Sequence, residues 1–117
     1  MHELSVTQSI LETVLRSATE HGAKRITRIR LAVGELSDLN EEWIQRYFDY
    51  VSADTIAAGA RIAVERTPAG FTCHDCGHEF DVDLTTVERI VCASCGGTNC
   101  TLERGREFGI EDMEIVT

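Results

Sequence analysis

The chain has 117 residues, of which 43% are hydrophobic, enough for one ordinary domain or two small lobes. Twenty acidic residues outnumber eleven basic ones, and the formal net charge is -9. This charge argues against nucleic-acid binding, which needs a positive surface to displace phosphate counterions. No apolar run approaches the roughly 18 residues of a membrane span, and the first residues lack the pattern of a secretory signal. We therefore expect a cytoplasmic protein whose cysteines stay reduced.

The first part of the chain predicts a helix, a strand and a turn, in that order. Apolar residues recur at spacings of three and four between Leu4 and Glu20, which indicates an amphipathic helix. Gly22 follows, and glycine suits the left-handed position after a helix. A strand with one buried face comes next, with alternating apolar residues at Ile29, Leu31 and Val33. The sequence Gly-Glu-Leu-Ser at 34–37 is interpreted as a turn.

The rest of the chain predicts a second helix and two further strands around a cysteine-rich segment. The helix runs through roughly 41–52, with Asp38 or Asn40 as its cap. Alternating apolar residues at 60–64 indicate a strand, and the segment 68–70 then breaks the pattern. A last strand is expected near the C-terminus, with an irregularity near 111–112.

The strongest motif consists of two Cys-x-x-Cys pairs, Cys73 with Cys76 and Cys92 with Cys95, separated by fifteen residues. This pattern is typical of a tetrahedral zinc site, because two intervening residues let one tight turn aim both sulfurs at one ion. Four sulfurs close the coordination shell, so this zinc would be structural. The fifteen-residue connection is long enough for a strand hairpin that returns the second pair to the first. Iron in a rubredoxin-like site is the rival occupant.

Together the elements predict an α+β fold with two lobes. Residues 1–68 and 101–117 form a mixed lobe of two helices and a three-stranded sheet, and residues 69–100 form an inserted zinc-ribbon lobe. About thirty residues cannot bury enough apolar surface to fold alone, so the metal would serve as the core of the ribbon. His74 and His78 are interpreted as solvated or supporting side chains rather than ligands, and Cys100 as a spectator thiol.

Met1, His2 and Glu3 suggest a second metal site. The imidazole of His2, the terminal amine and nearby amide nitrogens can close small chelate rings around one ion. Several nitrogens in one plane suit Ni(II) and Cu(II), and Glu3 can add a carboxylate or support the other ligands. Taken alone, a histidine near a terminus is more often simply solvated, so the residues leave both interpretations open.

Three features occur here in a characteristic order: the start Met-His-Glu-Leu-Ser-Val, the Gly-Glu-Leu-Ser turn and the two late cysteine pairs. In this order and at this length the chain resembles the HypA family of hydrogenase nickel-incorporation proteins. The resemblance implies a nickel metallochaperone for [NiFe]-hydrogenase maturation, in some organisms also serving urease. It implies nickel at Met1, His2 and Glu3, and structural zinc at Cys73, Cys76, Cys92 and Cys95.

The resemblance also implies partners, namely a HypB-type nickel GTPase, the [NiFe]-hydrogenase large subunit and, in some organisms, urease maturation factors. No nucleic acid or membrane is expected among them. Some relatives carry an aspartate linked to the nickel site where this chain has Asn40. Neither Asn40 nor the nearby Asp38 is assigned as a ligand.

The sequence favours a non-enzymatic protein, because no activated nucleophile, Gly-rich phosphate loop or paired-carboxylate motif is evident. Three alternatives to a nickel carrier stay open from the residues alone. They are a nucleic-acid-binding zinc ribbon, which the charge disfavours, a structural interaction module with an incidental His2, and a thiol redox protein. Nickel binding that His2→Ala abolishes would separate a carrier from the interaction module.

Overall fold

A computed structural model describes residues 3–84 and 86–117, without the side chain of Glu3. The helices in this range are α1 (Glu3–Glu20) and α2 (Glu41–Val51). The strands are β1 (Arg25–Gly34), β2 (Arg61–Thr67), β3 (Ala69–Cys73), β4 (Glu79–Val82), β5 (Cys100–Arg104) and β6 (Phe108–Val116). They form two three-stranded sheets, in the orders β2-β1-β6 and β4-β3-β5. The predicted α+β class is thus confirmed, with two helices and the expected sheet of β1, β2 and the C-terminal strand.

The chain divides into two compact units. The first contains the described residues up to Ala32 together with Asp38–Glu65 and Gly109–Thr117. The second contains Val33–Ser37 and Arg66–Phe108, and therefore all five cysteines. No described helix is long and apolar enough to cross a membrane.

Helix packing in the first unit follows the sequence pattern. The buried stripe of α1 has the predicted spacing of three and four, and consists of Thr7, Ile10, Val14 and Ala18. Helix α2 buries Ile44 and Phe48. Asn40, rather than Asp38, is the residue that caps α2, because its Oδ1 accepts a hydrogen bond from the Trp43 backbone N–H at 3.1 Å.

Strand β1 lies at the centre of its sheet and presents Arg30 toward β6. The Arg30 guanidinium forms ion pairs with Glu111, at 3.3 Å, and with Asp112. Both acidic residues are exposed although they are consecutive in β6, so the alternation of the strand breaks there, at the place predicted from the sequence.

The end of β1 belongs to the second unit and lies against another stretch of backbone. A Cβ atom added to Gly34 would lie 2.2 Å from both C and O of Gly105, so no other residue type fits without displacement of the backbone. The Gly34 N–H donates to the Glu107 carbonyl and the Leu36 N–H to the Gly105 carbonyl, each at 2.7 Å. The Gly-Glu-Leu-Ser turn therefore joins β1 to the segment that precedes β6.

Two predictions about the cysteine segment were wrong in detail. The break expected at 68–70 is confined to Pro68, because Ala69–Cys73 forms β3. The described part of the connection between the cysteine pairs contains β4 alone, so no hairpin forms within it. Instead β4 pairs with β3, which places Phe80 opposite Phe71, and β5, after the second pair, flanks β3 on its other side. The reversal from β3 to β4 is made by the first cysteine pair itself.

Candidate metal centre

The first cysteine turn, residues 73–78, begins at the last residue of β3. The Cys73 N–H donates to the His78 carbonyl at 2.9 Å, and the Gly77 N–H donates to the Cys73 carbonyl at 2.8 Å. Gly77 has a φ of 76°, a left-handed conformation that glycine adopts without steric cost. These bonds fold Cys73 and Cys76 back toward each other.

The second cysteine turn, residues 92–97, repeats the same hydrogen bonds. The Cys92 N–H donates to the Gly97 carbonyl at 2.8 Å, and the Gly96 N–H donates to the Cys92 carbonyl at 2.9 Å. Gly96 has a φ of 73°. The roles of Gly77 and Gly96 were not predicted, although the repeated pattern Cys-x-x-Cys-Gly indicates them.

The structure brings together the sulfurs of all four paired cysteines, each within 4.8 Å of the others. The Sγ atoms of Cys73 and Cys95 are 3.7 Å apart, and those of Cys76 and Cys92 are 3.5 Å apart. A metal about 2.3 Å from each of four tetrahedral sulfurs sets them about 3.8 Å apart. A disulfide would need about 2.05 Å. The donor set and its spacing therefore fit one tetrahedral metal ion.

Each turn contributes one buried and one exposed cysteine. Cys73 is 0% exposed and Cys92 is 3% exposed, whereas Cys76 and Cys95 face solvent. Backbone N–H groups also point at the sulfurs: Ser94 and Cys95 donate to Cys92 Sγ at 3.3 and 3.5 Å. The Gly97 N–H donates to Cys95 Sγ at 3.4 Å. Such bonds stabilise thiolates and orient them toward a metal.

The thiols differ widely in their tendency to ionise. The backbone N–H groups of Cys95 and Ser94 outweigh the effect of burial and lower the pKa of Cys92 to about 6. At Cys76 the backbone N–H of His78 lowers the pKa, but hydrogen bonding to Cys92, burial and the other two thiols raise it to about 12. Four thiolates within 4.8 Å of one another would repel each other, so a divalent cation among them would stabilise the arrangement.

Three neighbours that the sequence analysis did not assign as ligands have partners of their own. The His74 ring Nε2 is hydrogen-bonded to Thr101 Oγ1, and the His78 ring stacks on Phe80 with centroids 6.0 Å apart. Cys100 Sγ donates to the Gly97 carbonyl at 3.8 Å. The pKa of the Cys100 thiol is raised, chiefly because the thiol is partly buried and secondly because Cys73 lies nearby.

The predicted nickel site falls outside the described residues, because Met1, His2 and the side chain of Glu3 are not among them. Helix α1 begins at Glu3, directly behind that site. Asn40, which the sequence analysis did not assign as a ligand, uses its side-chain oxygen to cap α2.

Comparison with known proteins decides the family. Residues 1–115 match the family model described as "Hydrogenase/urease nickel incorporation, metallochaperone, hypA". The chain belongs to the HypA family. The HypA hydrogenase maturation factor of Dehalococcoides mccartyi is 40% identical over 115 residues, which cover 98% of this chain and 94% of that one. The HypA of Caldanaerobacter subterraneus is 34% identical over 116 residues, which cover 98% and 99%.

The fold agrees with that of solved HypA structures. The solution structure of the Ni metallochaperone HypA from Helicobacter pylori superposes with a TM-score of 0.68. It has 22% sequence identity and covers 99% of this chain and 98% of that one. A second HypA solution structure gives a TM-score of 0.75 at 23% identity, with 99% and 97% covered. The chain thus has the HypA fold over essentially its full length.

Proposed function

We propose that this protein is a nickel metallochaperone that binds Ni(II) through Met1, His2 and Glu3 and delivers it during [NiFe]-hydrogenase maturation. The observation that carries the proposal is the match of residues 1–115 to a family of nickel-incorporation proteins, which includes the Met-His-Glu start. A carrier needs a reversible metal site rather than catalytic groups, and we assign no enzymatic activity to the chain.

The chemistry of the first residues suits nickel as cargo. The His2 imidazole, the Met1 amine and backbone amide nitrogens form the planar nitrogen set that Ni(II) prefers. The first N–H groups of a helix have no acceptor within the helix. Since α1 begins at Glu3, amide nitrogens at this end can coordinate an ion without the loss of helical hydrogen bonds. The site requires a free Met1 amine.

Zinc is the occupant that we propose for Cys73, Cys76, Cys92 and Cys95. When bound, zinc supplies a closed shell of four sulfur bonds and holds the two cysteine turns together. Binding of structural zinc by small peptides is worth roughly 10–16 kcal/mol at pH 7, comparable to the roughly 5–15 kcal/mol stability of a whole domain. The metal would therefore be the main source of stability around the cysteine turns.

The partners belong to the proposal as well. We infer that the chain exchanges nickel in the cytoplasm with a HypB-type GTPase and the hydrogenase large subunit, with urease maturation factors as further recipients where urease is present. Neither nucleic acid nor membrane takes part. Residues 1–68 and 101–117 would handle nickel, and residues 69–100 would hold zinc.

The proposal is tested in a strain of the source organism that lacks this gene. Wild-type protein and a His21→Ala control should restore nickel to the hydrogenase large subunit, whereas His2→Ala should not. His21 is a suitable control because it is an exposed histidine after α1, with its ring Nδ1 hydrogen-bonded to the nearby Ser17 carbonyl at 2.7 Å. Full restoration by His2→Ala would contradict nickel delivery from this end of the chain.

A further inference from the structure

Helix α2 carries three aromatic side chains on its outer face: Trp43, Tyr47 and Tyr50. Their spacing of four and three residues places them side by side on one surface, here called the α2 stripe. Trp43 is 45% exposed and Tyr50 is 81% exposed. The core contacts of the helix are made by Ile44 and Phe48 instead. Tyr47 is half-buried, whereas Trp43 and Tyr50 form a surface feature that the core of the first unit does not use.

Two of the three rings of the α2 stripe, Trp43 and Tyr47, are held in one arrangement by side-chain contacts. The Trp43 and Tyr47 rings stack with centroids 5.6 Å apart and planes inclined by 28°. The Arg46 guanidinium carbon lies 5.1 Å from the Trp43 ring centroid, in cation–π contact. Trp, Tyr and Arg are the residues that dominate binding energy at protein interfaces. Rings ordered before binding lose little conformational freedom on association.

Charge indicates what can cover the α2 stripe. Glu42 and Asp49 are exposed and directly precede Trp43 and Tyr50, so carboxylates flank the stripe on one side. The whole chain carries a net charge of -9. Nucleic acid and anionic lipid would be repelled, and a second copy of the chain would bring like charges together. The complementary surface is apolar at its centre and carries lysine or arginine at its rim.

We propose that the α2 stripe docks a protein of the nickel-delivery pathway through an apolar pocket rimmed by basic side chains. The pathway rests on the proposed function, but the docking surface rests on the geometry and charge of α2. Tyr50 would be the central anchor, because it is the most exposed of the three rings. Docking would leave both metal sites intact.

Titration calorimetry tests this inference with two purified proteins, the HypB-type GTPase and the nickel-free hydrogenase large subunit. At least one of them should bind the wild type, more weakly as salt rises from about 50 to about 500 mM. Tyr50→Ala should weaken that binding at least tenfold. The control Val116→Ala, which removes an apolar side chain that is 44% exposed on β6, should leave it unchanged. Tyr50→Ala should retain the wild-type zinc content and circular dichroism.

Three results would overturn the inference. One is equal affinity of Tyr50→Ala and wild type, and another is the absence of binding by both partners. The third is a wild-type dimer in sedimentation equilibrium that Tyr50→Ala disperses, since a second copy would then be the occupant. The nickel proposal is tested independently. If His2→Ala still binds nickel, that proposal is wrong, regardless of how Tyr50→Ala changes partner binding.

Discussion

The sulfurs of Cys73 and Cys95 lie 3.7 Å apart, although the two residues are 22 positions apart in the chain. Cys76 and Cys92, 16 residues apart, approach to 3.5 Å in the same way. Each thiol of one cysteine turn therefore faces a thiol of the other turn. A metal among them would close the connection between β4 and β5, and neither turn could hold a tetrahedral ion alone.

Removal of zinc should unfold the region around the cysteine turns, because metal binding and local folding are coupled in small metal-bound lobes. Cys73→Ser should lower zinc content well below one per chain, since it replaces a fully buried sulfur ligand. Cys100→Ser should keep full zinc, because Cys100 Sγ donates to the Gly97 carbonyl. Metal analysis and amide NMR dispersion check both variants. Dispersion that persists for these residues in metal-free protein would contradict the account.

Iron and zinc can be distinguished directly in the purified protein. Both suit four sulfurs at tetrahedral geometry, but we expect a colourless protein with one zinc per chain. The absorption spectrum and elemental analysis give the answer. If the purified protein is coloured and contains stoichiometric iron, then iron rather than zinc is the occupant, with the same four cysteine ligands.

Nickel affinity should fall as the pH drops from about 8 to about 6. Nitrogen ligands must lose protons before they bind a metal, and reference pKa values are about 6.5 for histidine and about 7.7–8.0 for a terminal amine. Calorimetric titrations of nickel at several pH values measure the effect. Affinity that stays constant over this range would count against ligation by the Met1 amine and the His2 imidazole.

Substitution of Gly34 tests the close approach of two backbones in the second unit. Gly34→Ala places a Cβ atom 2.2 Å from Gly105, so the backbone must shift. Such overpacking costs about 1–3 kcal/mol. Gly109→Ala is the matched control, because a Cβ atom there would meet nothing within 4 Å. Denaturant unfolding of zinc-loaded protein should show a lower free energy of unfolding for Gly34→Ala only. Equal stability of the two variants would contradict the contact.

Glu107 should contribute an acid-sensitive part of the stability. The Thr67 hydroxyl, at 2.7 Å, and then the Gly105 N–H, at 3.1 Å, hydrogen-bond its carboxylate and lower its pKa in the folded state. A lowered pKa stabilises the fold above the unfolded value of about 4.3, and this contribution is lost as the pH falls through the lower folded value. Because the side chain is exposed, Glu107→Gln should cost less than about 1 kcal/mol at pH 7.

The measurement for Glu107 compares its Gln variant with Glu103→Gln, an exposed carboxyl on β5. Acid also releases zinc, and this lowers the stability of both variants equally. The loss of zinc therefore cancels in the difference between their unfolding free energies. That difference should shrink as the pH drops below about 4. A difference that is constant with pH would show that the Glu107 charge plays no part.

Local patterns in the sequence were sufficient for much of this fold. The apolar spacing predicted the buried residues Ile10, Val14 and Ala18 of α1, although not Thr7. The two Cys-x-x-Cys pairs identified the four thiols that the structure brings together. Strand β5 carries only one strongly apolar residue, Leu102, and its pairing with β3 depends on contacts distant in the chain. Likewise, nothing local to Gly34 indicates that Gly105 lies against it.

Metal counting on protein with its native N-terminus tests the central claim most directly. Wild type, His2→Ala and His21→Ala would each be equilibrated with both metals, and nickel and zinc would be measured separately. The account predicts one tight zinc in all three proteins and one nickel in wild type and His21→Ala, with the nickel lost in His2→Ala. One zinc and no specific nickel in any of them, or nickel retained by His2→Ala, would contradict a carrier that holds nickel at Met1, His2 and Glu3.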